Sequence, residues 1–199
     1  MHEIGQITLL QVQRSVLVVE EGTYSYYDPT PLVVVESLQV SPAGVIGITT
    51  GNRHVMDIHH MHHPNSQNHK GVNGISLGFT SHYRSMRERL GEHLLDGIAG
   101  ENILVESDNI LTLAELGERL AIQNQHTGQV LYLSGLKVAT PCVEFSQFAA
   151  NHGTSLPAQQ LKETLQFLNH GRRGFYARME DQPELMTIQR GDKLLVCEP

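Results

Sequence analysis

Apolar residues come mostly in short runs along the chain, shorter than a helix face needs and bounded by glycine, proline and asparagine. Ile7 to Val19 and Leu32 to Val40 are β-rich runs. Between them Glu21 to Pro31 carries Gly22, Asp28-Pro29 and Pro31 and reads as a turn-rich loop. Val33-Val34-Val35 predicts a strand buried on both faces, and Val45 to Ile48 a further short strand. Ser41 to Gly78 is polar, rich in glycine and histidine and poor in periodicity, as expected of strands joined by long loops. Helical spacing starts at Ser81 and runs to Leu90: Tyr83, Met86 and Leu90 share a face, Thr80 or Ser81 can cap the start, and Gly91 follows the end. Ile103-Leu104-Val105, Leu120-Ala121-Ile122 and Val130 to Leu133 predict strands. Thr112 and Glu115 have capping-box spacing and predict one helical turn. A second helix follows Pro141 to about Ala150. A third spans about Pro157 to Asn169, with Leu161, Leu165 and Leu168 on one stripe and Gly171 past its end. Met186 to Gln189 and Lys193 to Val196 flank Gly191-Asp192 as an expected hairpin. Many short strands with about three short helices predict a mainly β fold, a closed or partly closed β-barrel. No Gly-x-Gly-x-x-Gly follows a strand, which argues against a dinucleotide-binding sheet.

Composition narrows the function classes. The 199 residues fit one domain spanning 1–199. A net charge of −7 argues against a nucleic-acid partner, since phosphate neutralisation needs a basic face. No apolar stretch is long enough to span a membrane, and Met1-His2-Glu3-Ile4 has no signal-peptide character. The expected setting is therefore cytoplasmic, where the two cysteines, Cys142 and Cys197, stay reduced. They do not have Cys-x-x-Cys spacing, so a zinc knuckle or iron–sulfur cluster is not expected.

Four segments carry candidate chemistry. In Thr140-Pro141-Cys142, Thr140 suits an N-cap and Pro141 the first helical position, which puts Cys142 in a first turn. Unpaired amides and the helix dipole there favour a thiolate, so a depressed thiol pKa is expected; the alternative is a buried, inert cysteine. Gly171-Arg172-Arg173-Gly174 brackets two arginines with glycines, a form suited to phosphate or carboxylate or else to a solvated turn; Arg178 follows on the face of Tyr176. His54, His59, His60, His62, His63 and His69 crowd into residues 54–69 with Asp57. Zinc or another divalent metal could use His59, His60, His62, His63 and His69, although strand alternation does not gather three of them on one side. Finally, Gly97 to Asn102 reads as a tight loop whose Asn102 can both donate and accept.

In order, Asp57, His69-Lys70-Gly71-Val72, Gly97-Ile98-Ala99-Gly100-Glu101-Asn102-Ile103, Pro141-Cys142, Gly174-Phe175-Tyr176-Ala177-Arg178 and Gly191-Asp192 resemble the MOSC domain, named for the C-terminal domain of molybdenum-cofactor sulfurases. The resemblance covers residues 45–196, and residues 1–40 would complete or decorate the barrel. It implies a β-barrel with a few helices. It also implies a cysteine, here Cys142, that either ligates the molybdenum of a pterin cofactor (molybdopterin) or carries sulfur as a persulfide. Lys70, Asn102, Arg172, Arg173 and Arg178 become candidates for holding the pterin and its phosphate. The implied chemistry is reduction of N-hydroxylated compounds, or sulfur transfer from a sulfane-sulfur donor such as a cysteine desulfurase. Pyridoxal phosphate binding is a further attribute of the sulfurase relatives. The chain contains neither a pyridoxal-phosphate lyase domain nor a four-cysteine ferredoxin domain, so a sulfur donor or a separate reductase is expected as partner. A metal-dependent hydrolase or metal-binding module built on the histidines is the reading from another class, and the His59-to-His63 run is denser than the family leads one to expect.

Overall fold

The computed structural model describes residues 1–151, 156–180 and 185–197. In chain order its strands are β1 (His2–Gln13), β2 (Val18–Glu21), β3 (Tyr24–Tyr27), β4 (Leu32–Val34), β5 (Ser37–Ser41), β6 (Gly44–Ile48), β7 (His54–Met56), β8 (Ile75–Phe79), β9 (Ile103–Val105), β10 (Arg119–Gln123), β11 (Val130–Val138), β12 (Phe175–Met179), β13 (Met186–Gln189) and β14 (Lys193–Val196). The helices are α1 (Thr80–Leu90), α2 (Leu113–Leu116), α3 (Val143–Ala149) and α4 (Ala158–Leu168). No described helix is long and apolar enough to cross a membrane.

Seven strands close a barrel in the order β14-β10-β11-β12-β8-β9-β1, with β1 returning to β14. All neighbours are antiparallel except β8 and β9, which run parallel on either side of α1. Closure removes the barrel's unpaired edges. Its interior is filled by alternate residues: Ile7 and Leu10 of β1, Ile75, Leu77 and Phe79 of β8, Ile103, Leu120, Leu133, Phe175 and Leu194. Burying each large apolar side chain contributes about 1.5–3 kcal/mol before ordering costs. A four-stranded sheet, β13-β5-β6-β7, packs on β1, where Gly47 lies under Val12 and Val35. A second apolar cluster holds the helices to the barrel through Tyr83 and Met86 of α1, Phe145 of α3 and Leu168 of α4.

Four local expectations are corrected. First, the expected loop at 21–31 includes the second strand of a hairpin, β2 with β3, registered from Val18↔Tyr27 to Glu21↔Tyr24. Its Tyr27 ring packs edge-on against Phe145, 5.0 Å away. Second, Val33-Val34-Val35 is not buried on both faces: β4 pairs with β1, and Val34 is 59% exposed. Third, β13 and β14 do not form a hairpin. β13 pairs with β5, while β14 pairs with β1 and β10. The turn between them is pinned by buried Asp192, whose carboxylate accepts from the Gln189 and Gln125 amides at 2.8 and 3.1 Å, so the chain crosses from the small sheet into the barrel. Fourth, α1 has no side-chain cap: Thr80 and Ser81 instead donate to the Ser107 and Asn109 carbonyls. The fourth helix is the single turn α2, and its capping box forms as the spacing indicated.

Candidate functional site

Helix α3 starts at Val143, and Cys142 itself is its N-cap, with φ −86° and ψ 167°. The sulfur accepts from the Phe145 amide at 3.3 Å, the position a serine or aspartate oxygen ordinarily fills. Thr140 and Pro141 therefore precede the cap instead of forming it. Buried Phe145 and Ala149 fix the helix against the barrel and leave Cys142 at its exposed end as a free thiol. Cys197, also free, lies just past β14.

The thiol pKa moves up from its ordinary 9.0, against expectation. Cys142 is open to solvent on one side, but it lies over dense protein on the other. That burial is the largest influence, and the Glu144 carboxylate adds to it by taking the S–H bond and repelling the thiolate. The Phe145 amide and the Arg173 charge act in the opposite direction and do not prevail. Glu144 itself is held below the usual carboxylate range, chiefly by the Ser25 hydroxyl, which donates to Oε1 at 2.7 Å from the hairpin.

Arg173 is the cation whose charge reaches this thiol. Its Nη2 donates to the Ala99 carbonyl at 3.0 Å, and its guanidinium lies 5.9 Å from the Tyr176 ring centre. Burial works against its charge, but Tyr176, Glu101 and Tyr27 around it favour the charge and prevail. Glu101 is buried beneath: Oε2 accepts from Tyr83 Oη at 2.7 Å, and Oε1 has no hydrogen-bond partner among the described residues. Burial raises the Glu101 pKa, and Arg173 opposes that rise.

The other predicted residues separate into different places. Asn102 is buried and fully engaged: Oδ1 accepts from the Ser76 amide and hydroxyl, both at 3.0 Å, while Nδ2 donates to Asp57 at 2.8 Å and to the Gln11 carbonyl at 3.3 Å. It ties β8, β9 and β1 together and has no group left for a cofactor. Arg172 turns onto α4, with Nη1 donating to the Phe167 carbonyl and the guanidinium 4.8 Å from that ring. Lys70 and Arg178 share a cavity of about 400 Å³ with Gly71 and Ser134. Glu180, the acid lining it among the described residues, is engaged bidentately by Arg119 at 3.0 and 2.7 Å, so among those residues Lys70 and Arg178 set the charge of the cavity.

The histidines do not converge. His59 is bound to Asp57, buried His60 accepts the His62 amide on Nδ1, and His63 accepts the Asn65 amide. His62 and His69 are exposed, and burial lowers the His60 pKa. Among the described residues no three His, Cys, Asp or Glu side chains form a group able to hold a metal ion, so the histidine-based metal site expected as an alternative has no ligand set.

With this geometry in view, the comparisons decide the family. The MOSC domain family matches residues 67–195. The chain belongs to the MOSC domain family. No curated protein matches it. Among solved structures it is similar to the YUAD protein from Bacillus subtilis, with 12% identity, 94% of this chain and 96% of that one covered, and a TM-score of 0.50. It is similar to YiiM from Geobacillus stearothermophilus at 16% identity, with 97% and 75% covered and a TM-score of 0.51. At these identities the likeness concerns the fold. MOSC membership is compatible with a molybdenum cofactor.

Glu144, Tyr27, Glu101 and Tyr176 were not picked out from sequence. Glu101 and Tyr176 stand inside quoted MOSC motifs and could have been weighed as neighbours of Arg173. Nothing local marks Tyr27 or Glu144, because their role depends on the hairpin docking on α3.

Proposed function

We propose that this MOSC protein binds a molybdenum cofactor through Cys142, with Arg173 beside the thiol and the Lys70–Arg178 cavity taking the cofactor's phosphate. The supporting observation is an exposed free thiol at the start of α3 within reach of the charge of half-buried Arg173. Thiolate is a soft donor suited to that metal, and a guanidinium neutralises the charge that builds up around it. The residues fit the group in part: Cys142 and Arg173 would serve at the metal and the separate Lys70–Arg178 cavity at the phosphate, whereas Asn102 and Arg172 are committed elsewhere. When bound, the cofactor would supply oxygen removal from N-hydroxylated compounds. The chain's own part is to give up the Cys142 proton, for which Glu144 is the adjacent acceptor, and to hold Arg173 in place through Ala99.

Protein made in cells that synthesise the cofactor, supplied with reduced viologen dye, is expected to consume hydroxylamine, and Cys142→Ala to abolish that activity. Equal rates for the two proteins would refute the assignment. The same exposed thiol supports a second reading, a sulfur carrier. A Cys142 thiolate attacks the outer sulfur of a desulfurase persulfide, the S–S bond breaks, and the donor leaves as a thiol. Gain of one sulfur atom on Cys142 by mass spectrometry tests it, and no gain removes it.

A further inference from the structure

A cavity of about 430 Å³ lies where the β2–β3 hairpin meets the end of α3. Its size suits a small molecule. Five ring-bearing side chains line it: Tyr24, Tyr26 and Tyr27 of β3, His93 from the segment after α1, and Phe148 of α3. Glu21 lines it as well, and among the described residues no lysine or arginine does. The rings are near neighbours: centroids lie 5.1 Å apart for Tyr27 and Phe148, 5.9 Å for His93 and Phe148, and 6.3 Å for Tyr24 and Tyr26. Several of their polar groups are already committed. Tyr27 Oη donates to the Ile98 carbonyl at 2.7 Å. Tyr24 Oη donates to Glu21 Oε2 at 2.7 Å, which holds the carboxylate beside the Tyr24 ring. His93 Nε2 lies 3.2 Å from the Phe148 carbonyl, which can only accept, so the imidazole donates there and is pinned to the end of α3.

We propose that this cavity binds an organic cation of the alkylammonium class, with Glu21 supplying the opposite charge and the tyrosine and Phe148 rings the surface for its alkyl groups. Aromatic rings attract a cation and bury methyl groups without requiring a hydrogen bond. An alkylated ammonium carries its charge under an apolar surface, and so suits a wall of rings whose hydroxyl donors are in use. An anion meets Glu21 with no lysine or arginine among the described lining residues to offset the repulsion. An uncharged molecule of the same shape gains nothing from the carboxylate. The inference stands independently of what Cys142 holds, because its test uses the chain without any cofactor.

NMR titration of the labelled protein at pH 8 and constant ionic strength compares three molecules of similar shape: tetramethylammonium, tert-butanol and pivalate. Tetramethylammonium is expected to give saturable shifts at Tyr24, His93 and Phe148, with the alcohol and the anion binding at least about ten-fold more weakly. Glu21→Gln should weaken tetramethylammonium at least about five-fold and leave the alcohol unchanged. Glu20→Gln removes the same charge from an exposed neighbour that does not line the cavity, and should keep the binding. No saturation with tetramethylammonium, equal affinity for tert-butanol, tighter binding of pivalate, or an equal loss in the two variants would each overturn the proposal. The three-ligand comparison is made on the unaltered protein and needs no variant to fold.

Discussion

Burial and one neighbouring side chain favour the proton on the Cys142 sulfur, and two groups favour its loss. Glu144 accepts the S–H, while Arg173 and the Phe145 amide favour the anion. With the pKa above 9.0 the group is a thiol at neutral pH, and thiolate appears only as pH rises through the raised value. Alkylation by iodoacetamide should therefore accelerate with a midpoint above pH 9 in the native chain, and at lower pH in Glu144→Gln. An unchanged midpoint would show that Glu144 does not control the thiol. The cysteine was visible in the sequence as Thr-Pro-Cys before an apolar helix face. Its pKa direction was not, because Glu144 is held by Ser25, 119 residues away in the chain, and burial of the sulfur depends on tertiary packing.

Strands β8, β9 and β12 position the site through two close fits. Asn102 fills one, bonded to three segments at once. Asn102→Ala leaves Asp57 and Ser76 short of partners inside the protein and should cost on the order of 3 kcal/mol in urea unfolding. Gly174 fills the other. Its φ is +119°, and a Cβ there would lie 2.6 Å from the Leu77 carbonyl oxygen and 3.1 Å from Glu101 Cγ. Gly174→Ala should therefore destabilise by about 2 kcal/mol or more, whereas Gly128→Ala, with open space around it, carries only the φ penalty. Elements with local signals were legible: the Thr112–Glu115 capping box and the Tyr83–Met86 face of α1. The β2–β3 hairpin was not, since Tyr24-Ser25-Tyr26-Tyr27 sits between Gly22 and Pro29 and gains its apolar partner only from α3.

The closed barrel depends on pairing residues 2–6 with 193–196, the two ends of the chain, and only the overall count of short strands announced it. Stability of the whole should depend on pH through His82. Burial pushes it down to about 4, and its Nε2 accepts the Leu111 amide at 3.0 Å, joining α1 to the segment before α2. Between pH 6.5 and about 4 the unfolded chain binds a proton that the folded chain refuses. Stability should fall across that window by on the order of 3 kcal/mol, with a flatter slope in His82→Gln. Asp57 acts lower still. Burial alone would raise its pKa, but the His59 and Gln13 hydrogen bonds hold it below its ordinary value, so its contribution persists above that value and disappears only as pH falls further. The most direct test of the molecule's role is molybdenum content by mass spectrometry, after purification from cofactor-producing cells. Near-stoichiometric metal in the native chain, lost in Cys142→Ala while the variant keeps the native circular dichroism spectrum, is the predicted result. Metal that is absent from the native chain, or equally present in both, would contradict Cys142 as its ligand.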